Sequence, residues 1–216
     1  MKPTLFAHPI SLFSQKVLVA LNESAVPFTL HSVVPGDPSG AAAYAHLWPF
    51  RRIPVLLDQG RSLAESSIII EYLDRRGAGT GRLVPDDAAA ALEVRMLDRA
   101  LDGFLLVPLQ KIIGDRFRAA EQRDPLGVTE ALSTLGLTYR WLDERMAERE
   151  WIAGAAPSLP DCAAAPGLFY ADRIQPVPSE LASLLAYRER LLAWPAYREV
   201  LATAEPYHRL LPLHPA

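Results

Sequence analysis

A chain of 216 residues, 50% hydrophobic and 22% charged, has the makeup of one large or two small globular domains, not of a disordered tail. Its 22 basic and 25 acidic side chains leave a net charge of -3, without the basic excess of a nucleic-acid surface. The single cysteine, Cys162, excludes an internal disulfide and a cysteine-bound metal cluster and fits the cytoplasm. No signal peptide is expected, and no run approaches the ~18 apolar residues of a membrane span.

The first 76 residues alternate in type. Thr4 to Ala7 reads as a strand, ended by His8-Pro9. From Ser14 to Ser24, Val17, Leu18, Ala20 and Leu21 recur at helical spacing. Phe28 to Val33 is a second strand and Ala41 to Leu47 a short helix, with turn material at 35–40 between them. Pro54 to Leu57 is a third strand, turned by Asp58-Gln59-Gly60 into a short fourth at Arg61 to Leu63. A helix at Ser66 to Arg76 closes the series, with Ile69, Ile70 and Leu73 inward.

Residues 77–87 (GAGTGRLVPDD) form the expected linker, and beyond it nothing reads as strand. Leu92, Met96, Leu97, Ala100, Leu101, Phe104 and Leu105 mark an amphipathic helix that Pro108 should bend. Val128, Leu132, Leu135, Tyr139, Leu142 and Met146 mark the next one. Further helices are expected at 159–172, 180–193 and 196–204. The expected domains are therefore an α/β unit over 1–76 and an all-helical unit over 88–216.

Glycine-rich phosphate loops, zinc-protease helices and nucleophile elbows are all missing from the sequence, and the five histidines lack metal-ligand spacing. Three local features remain. Ser11-Leu12-Phe13-Ser14 precedes the first helix. Ser14 suits an N-cap, and Ser11 lies in front of the positive helix end, where a hydroxyl can donate to an anion. Arg52-Ile53-Pro54 opens the third strand with a proline that can be cis or trans. Glu65-Ser66 stands before the apolar run Ile68 to Ile70, where it can cap the helix or hold a ligand.

The order and spacing of these features resemble the cytosolic glutathione S-transferase superfamily. SLFSQKV is similar to that family's catalytic loop, RRIPVL and LAESSIIIEYL to its glutathione-binding half, and Ser158-Leu159-Pro160-Asp161 to the capping box of a buried helix. Trp194-Pro195-Ala196 is similar to its late Pro-Ala element. The resemblance implies a thioredoxin-like βαβαββα domain followed by an all-α domain. It also implies a homodimer without metal, nucleic-acid or membrane partners. Glutathione is then the co-substrate, and small hydrophobic electrophiles are the second substrates, as in detoxification.

Ser11 falls where serine-type members activate the glutathione sulfur. Ile53 and Pro54 match the cis-proline pair facing the cysteinyl part, and Glu65 and Ser66 the pair holding the γ-glutamyl end. Arg52 falls near the expected glycyl carboxylate. Trp48-Pro49 and Arg51 depart from the family pattern, so either arginine can serve that end. Phe13, Leu105, Leu106, Leu109 and Phe117 are the expected wall of the electrophile pocket. Glu93, Arg95, Asp98, Arg99 and Asp102 offer a mixed-charge face for the dimer. Cys162 is expected to be structural. The alternatives are a glutathione-binding protein without transferase activity, or a glutathione-dependent peroxidase or dehalogenase at the same site.

Overall fold

The structure, a computed structural model, describes residues 2–33, 42, 44–76 and 82–213. Four strands, β1 (Thr4–Ala7), β2 (Thr29–Ser32), β3 (Val55–Asp58) and β4 (Arg61–Ala64), form one sheet in the order β2-β1-β3-β4. β1 pairs with β2 in parallel and with β3 antiparallel, and β3 pairs antiparallel with β4. A parallel neighbour requires a crossover, and helix α1 (Leu12–Glu23) supplies it. Alternation sorts the strands by face. Leu5, Ala7 and Leu56 join the main core, whereas Phe6 and Val55 meet Val33 and Tyr44 on the other side. The helix expected at 41–47 lies partly outside the described residues, and Ala42, Tyr44 and Ala45 within it are helical.

Helix α2 (Ser66–Asp74) ends the α/β unit. The first part of the expected linker, 77–81, lies outside the described residues. Its second part is tied down: Asp74 accepts from the backbone N–H groups of Leu83 (2.8 Å) and Val84 (3.3 Å). Asp87 then caps α3 (Ala88–Leu101), accepting from Ala90 N–H at 2.8 Å.

After α3 the chain makes a π turn over Asp102–Leu106 and continues as α4 (Val107–Arg116). Pro108 explains the break, because it cannot donate to the carbonyl of Phe104 four residues back. The Thr138 hydroxyl donates to that carbonyl instead, at 2.9 Å. The remaining helices are α5 (Pro125–Met146), α6 (Leu159–Ile174), α7 (Ala182–Ala193) and α8 (Pro195–Ala204), followed by a 3-10 turn at Glu205–Leu210. None of them is long and apolar enough to cross a membrane.

Helix α6 runs through the centre, buried from Leu159 to Ala171. At its start the Asp161 carboxylate accepts from Ser158 N–H (2.8 Å), Ser158 Oγ (2.6 Å), Ile152 N–H (3.1 Å) and Tyr187 Oη (2.5 Å). Four donors oppose the desolvation of a fully buried carboxyl, whose pKa burial still raises, and lock α6 to its surroundings. Cys162, next in sequence, has no solvent exposure, and burial pushes its thiol well above the ordinary range.

Two expectations for α3 need correction. Its buried side is Ala91, Val94, Leu97 and Leu101, whereas Leu92, Met96 and Phe104 are exposed. The sequence carries apolar residues on two faces, and periodicity alone does not say which of them packs inward. The mixed-charge face is used within the chain. Glu93 pairs with Arg145 of α5 (2.5 Å), Arg95 makes a bidentate pair with Glu71 of α2 (2.8 and 2.7 Å), and Asp98 and Asp102 face Lys16 of α1.

Candidate active site

The loop between β1 and α1 is held by its own hydrogen bonds. Ser11 N–H donates to the His8 carbonyl (3.0 Å), and His8 N–H donates to Ser14 Oγ (3.4 Å). Gln15 Nε2 donates to the Pro9 carbonyl at 2.6 Å. Helix α1 begins at Leu12, so Ser11 is its N-cap, and Ser11 Oγ accepts from Ser14 N–H at 3.4 Å. This corrects the sequence reading, which gave the cap to Ser14. The buried Ser14 hydroxyl instead faces back into the loop. A capping hydroxyl accepts with a lone pair and keeps its proton, so Ser11 still has a donor to offer. It offers it beside the first N–H groups of α1, which have no partner inside the helix.

Two cavities meet in front of this loop. The first, about 370 Å³, is lined by Ile53, Pro54, Glu65 and Ser66, with Phe13, Trp48 and Phe50 beside them and Arg99, Asp102 and Val107 opposite. The second, about 620 Å³, lies against Ser11, with His8, Ile10, Ile113, Phe117 and Leu210 among its wall residues. Arg52 and Gln110 line both. Arg51 lines neither of these two cavities. Its carbonyl accepts from Tyr44 Oη at 3.0 Å.

The Ile53–Pro54 peptide bond is cis. Glu65 occupies the N-cap position of α2 with φ +67 and makes no side-chain cap bond. Glu65 lines the first cavity instead. A non-glycine residue at that φ is uncommon, and residues held in such conformations cluster at ligand sites. Ser66 begins the helix, buried at the cavity wall.

The first cavity is also lined by Arg99 and Asp102. Burial raises the Asp102 carboxyl above its usual range, opposed by the Lys16 ammonium and reinforced by Asp98. In the second cavity burial lowers the His8 imidazole. Its Nδ1 accepts from Ile10 N–H at 3.3 Å, which leaves the proton on Nε2.

Some expected wall residues lie elsewhere. Leu105, Leu106 and Leu109 are fully buried in the core and reach neither of these cavities, which corrects their assignment to the electrophile pocket. Phe13 borders the first cavity, not the second, and Phe117 lines the second. The cavity side of α4 is Gln110, Ile113, Gly114 and Phe117, spaced i, i+3, i+4 and i+7. That spacing is visible in the sequence. The π turn upstream shifts the register of α4, so the stripe read from Leu105 ran onto the core side. Asp102 and Arg99, like Leu210 near the C-terminus, carried no local signal.

The description "Glutathione S-transferase, N-terminal domain" matches residues 5–81, and "Glutathione S-transferase, C-terminal domain" matches residues 116–195. A stringent starvation protein A homolog of Coxiella burnetii is 36% identical over 73 residues, a match spanning about a third of each chain. FtsZ-localized protein A of Caulobacter vibrioides is 25% identical over 94% of this chain and 92% of its own. A glutathione S-transferase structure from Methylobacillus flagellatus, solved with glutathione bound, shares the fold with a TM-score of 0.83. It is 24% identical over 92% of this chain and 98% of that one. With both halves of the chain matched and the same two-part architecture present, this chain belongs to the glutathione S-transferase superfamily.

Proposed function

We propose that the chain is a serine-type glutathione transferase that attacks small hydrophobic electrophiles with a glutathione thiolate. One observation carries this reading. A cavity rich in charged and polar groups and an apolar cavity adjoin, with Arg52 and Gln110 common to both and Ser11 at the wall of the second. Glutathione has an ammonium and a carboxylate at its γ-glutamyl end and a second carboxylate at its glycyl end. In the first cavity Glu65 takes the ammonium, Ser66 the α-carboxylate and Arg52 the glycyl carboxylate. The backbone at Ile53, turned by cis-Pro54, meets the cysteinyl part. The sulfur then lies toward Ser11.

A free thiol has a pKa of about 8.5, so little thiolate is present at neutral pH. The Ser11 O–H, donating to sulfur beside the positive end of α1, favours the thiolate without transferring a proton itself. The electrophile enters the second cavity among Ile10, Ile113, Phe117 and Leu210. The thiol proton leaves to water, and the thiolate forms the new bond to carbon: an aryl halide loses halide with its electron pair, whereas an unsaturated carbonyl takes up a proton from water at its α-carbon.

The FtsZ-localized relative favours a second reading, in which the fold binds a partner without transferase chemistry. The thiol pKa separates the two. Ultraviolet titration of bound glutathione should give a thiol pKa below about 7.5, and a panel of aryl halides and unsaturated carbonyls should then show turnover. Binding with an unshifted thiol and no turnover would favour the carrier reading. Such proteins act as homodimers in our reading, in the cytoplasm.

A further inference from the structure

Lys16 is the one fully buried lysine among the described residues. Its ammonium donates to Asp102 Oδ1 at 2.8 Å and to Ser67 Oγ at 3.0 Å, and it forms an ion pair with Asp98 Oδ1 at 2.6 Å. Ser67 Oγ in turn donates to Asp98 Oδ2 at 2.5 Å, and Arg99 reaches Asp102 Oδ2 at 3.2 Å. A single side chain therefore joins three helices. On α1 it lies five residues after Ser11. On α2 it holds the residue that follows Ser66. Beyond them it holds Asp98 of α3 and Asp102, the first residue of the π turn.

Burying an ammonium is expensive, and a buried ion pair adds little net stability compared with well-packed apolar side chains. What such a pair contributes is geometry. Asp102 belongs to the Lys16 cluster and lines the same cavity as Glu65 and Ser66. Arg99, largely exposed, is the other cation paired with Asp102 among the described residues.

We propose that Lys16 is a positioning residue of the glutathione site. It sets Asp102 and, through Ser67, the start of α2, so that the cavity meets an α-ammonium group with two carboxylates at fixed separation. This rests on the glutathione reading above and deepens it. Lys16 itself does not touch the ligand. It acts through Asp102 and Ser67, and the ligand chemistry it selects is a γ-glutamyl group with a free α-amino nitrogen.

The test compares two ligands on three proteins. The ligands are glutathione and glutaryl-cysteinyl-glycine, which lacks only the α-amino group. The proteins are wild type, Lys16→Met and Ser67→Ala, measured by equilibrium binding. Lys16→Met should weaken glutathione about tenfold or more and the analogue by less than about threefold. Ser67→Ala, which removes one acceptor and leaves both charges in place, should show the same selectivity at roughly three- to tenfold. It carries the test if the lysine variant does not fold. Equal weakening of both ligands, or no weakening, would overturn the proposal. Wild-type protein that binds both ligands equally keeps the glutathione reading and removes this one, whereas wild type that binds neither removes both.

Discussion

The Ser11 hydroxyl has two duties that one substitution does not separate. As N-cap it accepts from Ser14 N–H, and in the proposed chemistry it donates to sulfur. Replacing an N-cap serine with alanine costs about 0.5–2 kcal/mol, whereas glycine costs only a few tenths. Ser11→Gly should therefore keep the melting temperature close to wild type while turnover falls by up to about 10²–10³-fold, the range for losing one oxyanion-type donor. Ser11→Ala should lose both. Calorimetry and steady-state rates on the pair separate the duties, and wild-type turnover in Ser11→Gly would move thiol activation to another donor. Glu65 allows a similar separation. It sits at φ +67 without a capping bond, so its side chain adds little to the helix start. Glu65→Gln should weaken glutathione roughly ten- to hundredfold with no change in melting temperature. Glu65→Gly should hold or raise the melting temperature, because glycine adopts positive φ without strain, and still lose binding. A Glu65→Gln variant that melts early yet binds normally would make Glu65 a capping residue.

Close packing at α6 decides how far the π turn can shift. A Cβ placed on Gly167 would come within 2.4 Å of Leu105 Cδ2 and 2.8 Å of Leu105 Cγ, and Leu105 is fully buried. Gly167→Ala should therefore destabilise the fold by about 1–3 kcal/mol, the usual cost of overpacking a core. Chemical denaturation measures this, and an unchanged midpoint would mean that the π turn yields. The C-terminal 3-10 turn is held in another way. Tyr207 packs edge-on against His8 at 5.1 Å, His208 lies 5.4 Å from Phe169, and Arg116 donates to the Pro212 carbonyl at 2.9 Å. Burial lowers both imidazoles, with Arg173 adding to the effect at His208 and Glu205 opposing it. The unfolded chain then binds protons more tightly than the folded one. Stability is thus complete above the ordinary histidine value of 6.5 and is lost as pH falls through it. The melting temperature should drop between about pH 7 and pH 5, and His208→Gln should flatten that slope. An equal slope in the variant would exclude His208 as a source.

At the scale of the molecule, the two units are joined by polar pairs as well as by a common core. Trp194 Nε1 donates to Glu23 (2.7 Å), Gln15 Nε2 donates to Tyr170 Oη (2.9 Å), and Lys16 reaches Asp98 and Asp102. Among the described residues, the apolar outer face shared by α3, the π turn and α5 has no such partner. Met96, Phe104 and Leu137 are 59%, 58% and 61% exposed, and with Trp141 they line an apolar groove of about 570 Å³. Side chains of that size left in water favour association over a lone chain. The proposed homodimer should therefore depend on apolar contact, not on the mixed-charge face. Sedimentation should give two subunit masses at micromolar concentration for wild type and one for Met96→Glu. A wild-type monomer would remove the dimer, and a dimeric Met96→Glu would move the interface elsewhere.

Local physics made much of the architecture readable from the residues alone. Strands and helices were legible wherever apolar residues recur at one period, as in Val55 to Leu57 and along α5, and wherever a cap or a proline marks a boundary. The candidates Arg52, Ile53, Pro54, Glu65 and Ser66 fall in a short stretch around one hairpin, which made them easy to group in the sequence, and they line one cavity; their ligand roles belong to the proposal above. What eluded the sequence depends on register and on distance along the chain. A π turn caused by Pro108 rotates α4, so that Gln110 and Phe117 face the cavity and Leu109 the core. Which face of α3 is inward was decided by what packs against it, as was the pairing of Lys16 with carboxylates some 80 residues later. The cap passed from Ser14 to Ser11 because the helix starts at Leu12, two residues before the expected start at Ser14. Periodicity reports that a face is apolar, and only the tertiary fold determines whether that face meets the core, a ligand or a second chain.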